Sequence, residues 1–153
     1  PNGTTDVPLS VWTHLAWVAD GTNMNYYING RRDTTAAYTA IPKTLQRSPA
    51  IGRSAAQAKR FFAGNLADLA IYNGFALSIG EVARLGQGAS PLRVRPDRLS
   101  VYFPLVGAAN NPEYAYGRNG VLLPLLLTLT NTTGASHPFG HRAIPRPKVQ
   151  VFA

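Results

Sequence analysis

The stretch VWTHLAWVADGTNMNYYING, from Val11 to Gly30, most limits what this chain can fold into. From Ser10 to Ala19 the residues alternate. Trp12, His14, Ala16 and Val18 fall on one face, and Val11, Thr13, Leu15 and Trp17 on the other. Both faces are largely apolar, which predicts an interior strand covered on both sides. Asp20-Gly21 is a turn signal. Asn23 to Asn29 alternates again, with Met24, Tyr26 and Ile28 against Asn25 and Tyr27. Asn29-Gly30 predicts a type I′ turn, because both central positions of that turn need positive φ. Arg31 to Tyr38 then reads as the returning strand.

Further along, Ala50-Ile51-Gly52-Arg53 predicts a short strand, and Phe61 to Asn73 predicts a long one with two apolar faces. Ser78 with Glu81 three residues on is a capping box. It opens a short helix whose apolar stripe is Ile79, Val82, Ala83 and Leu85 and which Gly86 and Gly88 stop. Pro91 to Pro96 reads as a linker, Leu99 to Leu105 as a strand, Asn110 to Asn119 as a loop and Leu122 to Thr130 as a strand. From this pattern Trp12, Leu15, Trp17, Ile28, Leu66, Leu69 and Ile71 are expected to be core. Trp17→Ala is then expected to cost about 3–5 kcal/mol.

The order Trp12-Thr13-His14-Leu15-Ala16, Tyr27-Ile28-Asn29-Gly30, Ile51-Gly52-Arg53, Phe62-Ala63-Gly64-Asn65-Leu66-Ala67-Asp68-Leu69, Ile71-Tyr72-Asn73, Ala76-Leu77-Ser78 and Glu81-Val82 resembles laminin-G-like domains of the concanavalin A-like lectin-glucanase class. The resemblance implies an all-β fold: an antiparallel two-sheet jelly-roll sandwich with one short helix, here followed by an extended C-terminal arm. Residues 1–136 would form the sandwich, with 11–88 the best-matched part and 97–130 additional strands. Residues 137–153 would be the arm. The family usually has several strands before the Trp-Thr-His-Leu-Ala strand, whereas ten residues precede it here.

Composition narrows the function classes. No Cys is present, so no thiolate site or disulfide forms. No run approaches the ~18 apolar residues that span a membrane, and Val121 to Leu129 contains Pro124. The chain begins at Pro1, which fits a processed or truncated product, and shows no signal peptide. Its 15 basic and 7 acidic residues leave a net charge of +8. No nucleic-acid motif accompanies that charge, so specific nucleic-acid recognition is not expected. A sandwich glycosidase needs two carboxylates across one cleft. The acids here, Asp6, Asp20, Asp33, Asp68, Asp97, Glu81 and Glu113, form no such cluster in sequence, and no enzyme is expected. Relatives with this architecture sometimes bind calcium, for which Asp20 and Asp68 are the candidate ligands; no other cofactor is expected. His14, His137 and His141 lack metal-ligand spacing, and His14 reads as a hydrogen-bonded core imidazole. Asn2-Gly3-Thr4 and Asn131-Thr132-Thr133 match the glycosylation sequon, which matters in a eukaryotic secretory setting.

For ligand contact the candidates are Tyr26, Tyr38 and Tyr116, whose rings can stack on sugars. The segment from His137 carries Pro138, Pro145 and Pro147, which exclude a helix or interior strand. Its Arg142, Arg146, Lys148, Val151 and Phe152 are the candidate partner contacts of an arm laid on a neighbouring subunit. Pro91, Arg95-Pro96, Tyr102, Pro104-Leu105 and His137-Pro138 also resemble the tail of laminin-G-like proteins among bacteriophage virion components. With the low charge content of 14%, these features lead to an expected structural module of a virus particle, capsid-decorating or tail-associated. Its partners would be other virion proteins or copies of itself in a homo-oligomer. The alternative is a carbohydrate-binding, lectin-like adhesion module of a secreted or cell-surface protein, taking surface glycans.

Overall fold

The structure is a computed structural model in which residues 3–38, 51–52, 62–105 and 113–127 are described. They form two antiparallel sheets and one α-helix, a mostly-β architecture. The first sheet joins β1 (Leu15–Ala19), β2 (Asn23–Ile28) and β3 (Arg31–Ala37) in that order. The second joins β4 (Leu69–Ile71), β5 (Val101–Phe103), β6 (Glu113–Tyr116) and β7 (Leu122–Leu127). Between β4 and β5 runs α1 (Ile79–Gly86).

Local chemistry sets the first sheet. The Asp20 carboxylate accepts from the Thr22 and Asn23 amides at 2.9 and 2.7 Å and closes the β1–β2 turn. Asn29 and Gly30 have φ of 49° and 76°, the two positive values that a type I′ hairpin turn demands. A bulge falls in β3, where Tyr26 faces Thr34 but Tyr27 faces Arg32. The extra residue is Asp33. Its carboxylate turns to the N-terminal segment and accepts from the Thr4 amide and the Thr4 and Thr5 hydroxyls. These bonds, Thr5 foremost, hold the Asp33 carboxyl below its ordinary pKa.

The capping box is present as the sequence predicts. Ser78 Oγ accepts from the Glu81 amide, and the Glu81 carboxylate accepts from the Ser78 amide at 2.8 Å. The helix ends in a Schellman motif. Ala89 N–H donates to the Arg84 carbonyl, Gly88 N–H donates to Leu85, and Gly88 has φ of 90°. The inner face of the first sheet packs on this helix. Val18, Tyr27 and Val82 form the buried cluster, flanked by Ala16 and Leu77. Also buried are Tyr102, Phe103 and Ala115 of the second sheet and Val94 and Leu99 in the segment that leads into β5.

Several expectations are corrected. β1 is covered on one face, not two. Leu15 is 42% exposed and Trp17 64%, and Trp12, Leu66 and Ile71 are also exposed, while Ile28 and Leu69 are half-buried. The strand expected from Ser10 begins at Leu15, and Ser10 itself has a φ of 60°. Of the strand expected over Phe61 to Asn73, the described residues 62–73 yield only the three-residue β4. Asp68, with φ of 53°, cannot continue an extended chain, and its amide donates to the Pro104 carbonyl. Pro91 to Pro96 is no linker: Pro91–Arg93 is a 3-10 turn capped by Ser90, and Pro91 and Val94 are buried. Within Asn110 to Asn119, expected to be a loop, lies β6, followed by a 3-10 turn at Arg118–Gly120. Ile51 and Gly52 form a bend; Ala50 and Arg53, like the arm from 137 to 153, lie outside the described residues.

Candidate ligand-binding face

The outer face of the first sheet follows from its register. Leu15 lies opposite Ile28, Trp17 opposite Tyr26, and Ala19 opposite Met24. On β3, Thr34 lies opposite Tyr26 and Ala36 opposite Met24. Tyr38 continues this row, its amide donating to the Thr22 carbonyl at 2.9 Å. Side chains alternate across a strand, so Trp17, Tyr26 and Tyr38 share one side of the sheet with Leu15, Met24 and Ile28. The charged residue in register with this face is Arg31, opposite Ile28 at the hairpin corner. The result is an apolar and aromatic surface with Trp17 well exposed.

The opposite side of the same strands is polar where it is not core. Asn25 is buried; it donates to Asp20 at 3.0 Å and accepts from the Thr35 hydroxyl at 2.8 Å. The amides of Asn23 and Thr22, aided by Asn25, hold the Asp20 carboxyl below its usual pKa.

The sequence-derived candidates divide. Tyr26 and Tyr38 lie on the same face, in rows four residues apart along β3. Tyr116 does not join them: it is in the second sheet, with its ring 6.2 Å from that of buried Tyr102. Asp20 and Asp68 are not brought together. Asp20 closes a turn of the first sheet, while Asp68 precedes β4 and accepts from the Tyr102 hydroxyl at 2.5 Å. Among the described residues no three His, Asp or Glu side chains converge as a metal site would require. Arg142, Arg146, Lys148, Val151 and Phe152 lie outside the described residues. The residue that sequence reasoning missed is Trp17, which it assigned to the core. Both rows of β1 are apolar, so alternation alone gave no signal for Trp17; Ala16 and Val18 face inward because Val82 of the helix packs on that side.

His14 also departs from expectation. Its amide donates to Asn29 Oδ1 at 3.0 Å, but its ring Nδ1 is buried and has no hydrogen-bond partner among the described residues. Burial lowers its pKa below the ordinary histidine value. Glu81 shows opposing effects. Burial raises its carboxyl, but the Ser78 amide and the Arg95 guanidinium outweigh that and leave it below normal. Arg95 pairs with Glu81 and, with Arg98, flanks the Phe75 ring at 5.0 and 5.7 Å.

The sequence profile of the concanavalin A-like lectin/glucanases superfamily matches residues 2–83, more than half of the chain. The chain belongs to this superfamily. The match covers the whole first sheet, its aromatic face and the start of α1. A search of curated proteins returns no match. Among solved structures the chain is similar to an S-layer domain-containing protein (residues 221–444) from Clostridium thermocellum, at 23% identity and a TM-score of 0.48. That alignment covers 55% of this chain and 43% of the other, so the chain spans less than half of that structure's length. Among the described residues no helix is long and apolar enough to cross a membrane.

Proposed function

We propose that this superfamily member is a non-catalytic, lectin-like binding module of an extracellular or cell-surface protein. Its ligand surface would be the outer face of the first sheet. The observation that carries the reading is Trp17, 64% exposed and directly opposite Tyr26 in the sheet. Large rings left in water cost free energy that a ligand can recover, and an amphipathic ring suits a sugar, whose C–H face is apolar and whose edge is hydroxylated. Tyr38 and Ile28 extend the platform, and Arg31 supplies donors at its corner.

A non-catalytic role is supported by what four of the seven carboxylates do. Asp20 closes a turn, Asp33 tethers the N-terminal segment, Asp68 holds Tyr102, and Glu81 caps α1 and pairs with Arg95. Each is engaged in holding the fold. The virion role anticipated from the sequence gains no support from the superfamily match and is not carried further.

A glycan array with the full chain, followed by titration of the best binder, tests the reading. The expected result is binding that Trp17→Ala weakens by about tenfold or more, equivalent to about 1.4 kcal/mol, without loss of fold. Binding that survives Trp17→Ala and Tyr26→Ala together, or an array with no binder, overturns it.

A further inference from the structure

We propose that two copies of this chain join edge to edge through β1, antiparallel and centred on Trp17. The three strands of one copy then continue into the three of the other.

A sheet edge presents unpaired N–H and C=O groups, and natural proteins blunt such edges with charge, proline, bulges or shortness. Among the described residues the first sheet ends at β1 and β3, the second at β4 and β7. β3 opens with Arg31, Arg32 and Asp33 and carries the bulge. β4 is three residues long. β7 contains Pro124. β1, Leu-Ala-Trp-Val-Ala, has none of these devices: it has five residues, no charge, no proline and a regular register with β2. Among the described residues nothing pairs with its outer edge.

The hydrogen-bond phase shows which groups face that edge. The Asn29 amide donates to the His14 carbonyl, and the Asp20 amide donates to the Asn23 carbonyl. In an antiparallel ladder bonding alternates along the strand. His14, Ala16, Val18 and Asp20 therefore bond toward β2, and the N–H and C=O groups of Leu15, Trp17 and Ala19 point to the open edge.

Symmetry selects the occupant. About a two-fold axis at Trp17, Leu15 meets the second copy's Ala19, Ala16 meets its Val18, and Trp17 meets its counterpart. Large side chains face small ones at every step but the centre. Every outward N–H of Leu15, Trp17 and Ala19 finds an outward C=O. No like charges are set opposite each other, although the chain carries +8 overall. The two outer faces also become one continuous surface. The pairing does not depend on what that surface binds.

The absence of cysteine makes the test clean. Trp17 Cα atoms in a hydrogen-bonded antiparallel pair lie about 5.5 Å apart, within the disulfide range of about 4.4–6.8 Å. Thr34 Cα atoms would lie roughly 24 Å apart at a strand spacing of about 4.8 Å. Under mild oxidation Trp17→Cys is expected to give a covalent dimer and Thr34→Cys a monomer. Sedimentation of the unmodified full chain over a concentration series is expected to show a dimer. Ala19→Lys, which places a cation opposite Leu15 of the second copy, is expected to raise the dissociation constant at least tenfold with an unchanged circular dichroism spectrum. A wild-type chain that stays monomeric throughout, a dimer indifferent to Ala19→Lys, or equal cross-linking of both cysteine variants overturns the proposal.

Discussion

Gly86 of the helix lies directly against Gly30 of the hairpin. A Cβ on Gly86 would fall 2.4 Å from the Gly30 amide nitrogen, and one on Gly30 would fall 2.8 Å from the Ala83 Cα. The obstructing atoms are backbone on both sides, so no rotamer change relieves the clash. This contact sets how closely α1 approaches the first sheet and lets Val82 reach Val18 and Tyr27.

Gly86→Ala is therefore expected to destabilise the fold by about 1–3 kcal/mol, the usual cost of overpacking. Helix propensity alone predicts the opposite sign, a gain near 1 kcal/mol for Gly to Ala within a helix. Gly80, also in α1, has nothing within 4 Å of its would-be Cβ. Gly80→Ala should follow propensity and stabilise. Denaturant melts of the two variants decide between packing and propensity.

Trp17 and Val82 should invert the order that their sizes suggest. Trp17→Ala removes the larger side chain, but one 64% exposed, and should cost under about 1 kcal/mol. Val82 is fully buried against Val18 and Tyr27, and Val82→Ala should cost about 2 kcal/mol through lost burial and the cavity left. Chemical denaturation of both variants checks this. A Trp17→Ala loss larger than that of Val82→Ala contradicts the one-sided covering of β1.

What could be read from the sequence was local. The Asn29-Gly30 turn, the Ser78–Glu81 capping box and the Gly88 stop each depend on residues within a few positions, and each is where it was expected. Alternation also placed Leu15 and Trp17 on one side and Ala16 and Val18 on the other. It could not say which side is covered, because both are apolar and the answer lies in the distant helix. The long strand expected from Phe61 broke down at Asp68, whose positive φ is sustained by partners at Pro104 and Tyr102. The buried 3-10 turn at Pro91 was legible in principle. Ser90 followed by Pro91 is a cap followed by a residue preset for the first helical position. The Trp17–Tyr26–Tyr38 face needed the register, including the bulge at Asp33, before its members could be seen together.

Removing the cap should separate two roles of Glu81. Ser78→Ala deletes the acceptor for the Glu81 amide and should cost about 1 kcal/mol. Glu81→Gln keeps an acceptor for the Ser78 amide but loses the charge that pairs with Arg95. Arg95 is exposed, so that pair contributes little, about 0–1 kcal/mol. Thermal melts should rank Ser78→Ala as the more damaging. Neither change is expected to affect binding at the Trp17 face, because Glu81 is not among the residues that form it.

His14 should make the fold sensitive to mild acid. Burial lowers its pKa in the folded state, so the unfolded chain takes up a proton more readily. Stability from the neutral ring is complete above the unfolded value, about 6.5. It is lost as pH falls through the lower folded value. The buried Nδ1, with no partner among the described residues, leaves the protonated ring nothing there to donate to. Asp20 and Asp33, also held low, lose their contributions only in stronger acid, below the ordinary carboxylate range. Between neutral pH and about pH 5 the difference between wild type and His14→Leu therefore isolates this one group. Melting temperatures of both proteins across that interval provide the measurement. The wild type should lose stability steadily on acidification while His14→Leu changes less. Parallel curves would mean that the His14 ring is solvated in the folded state.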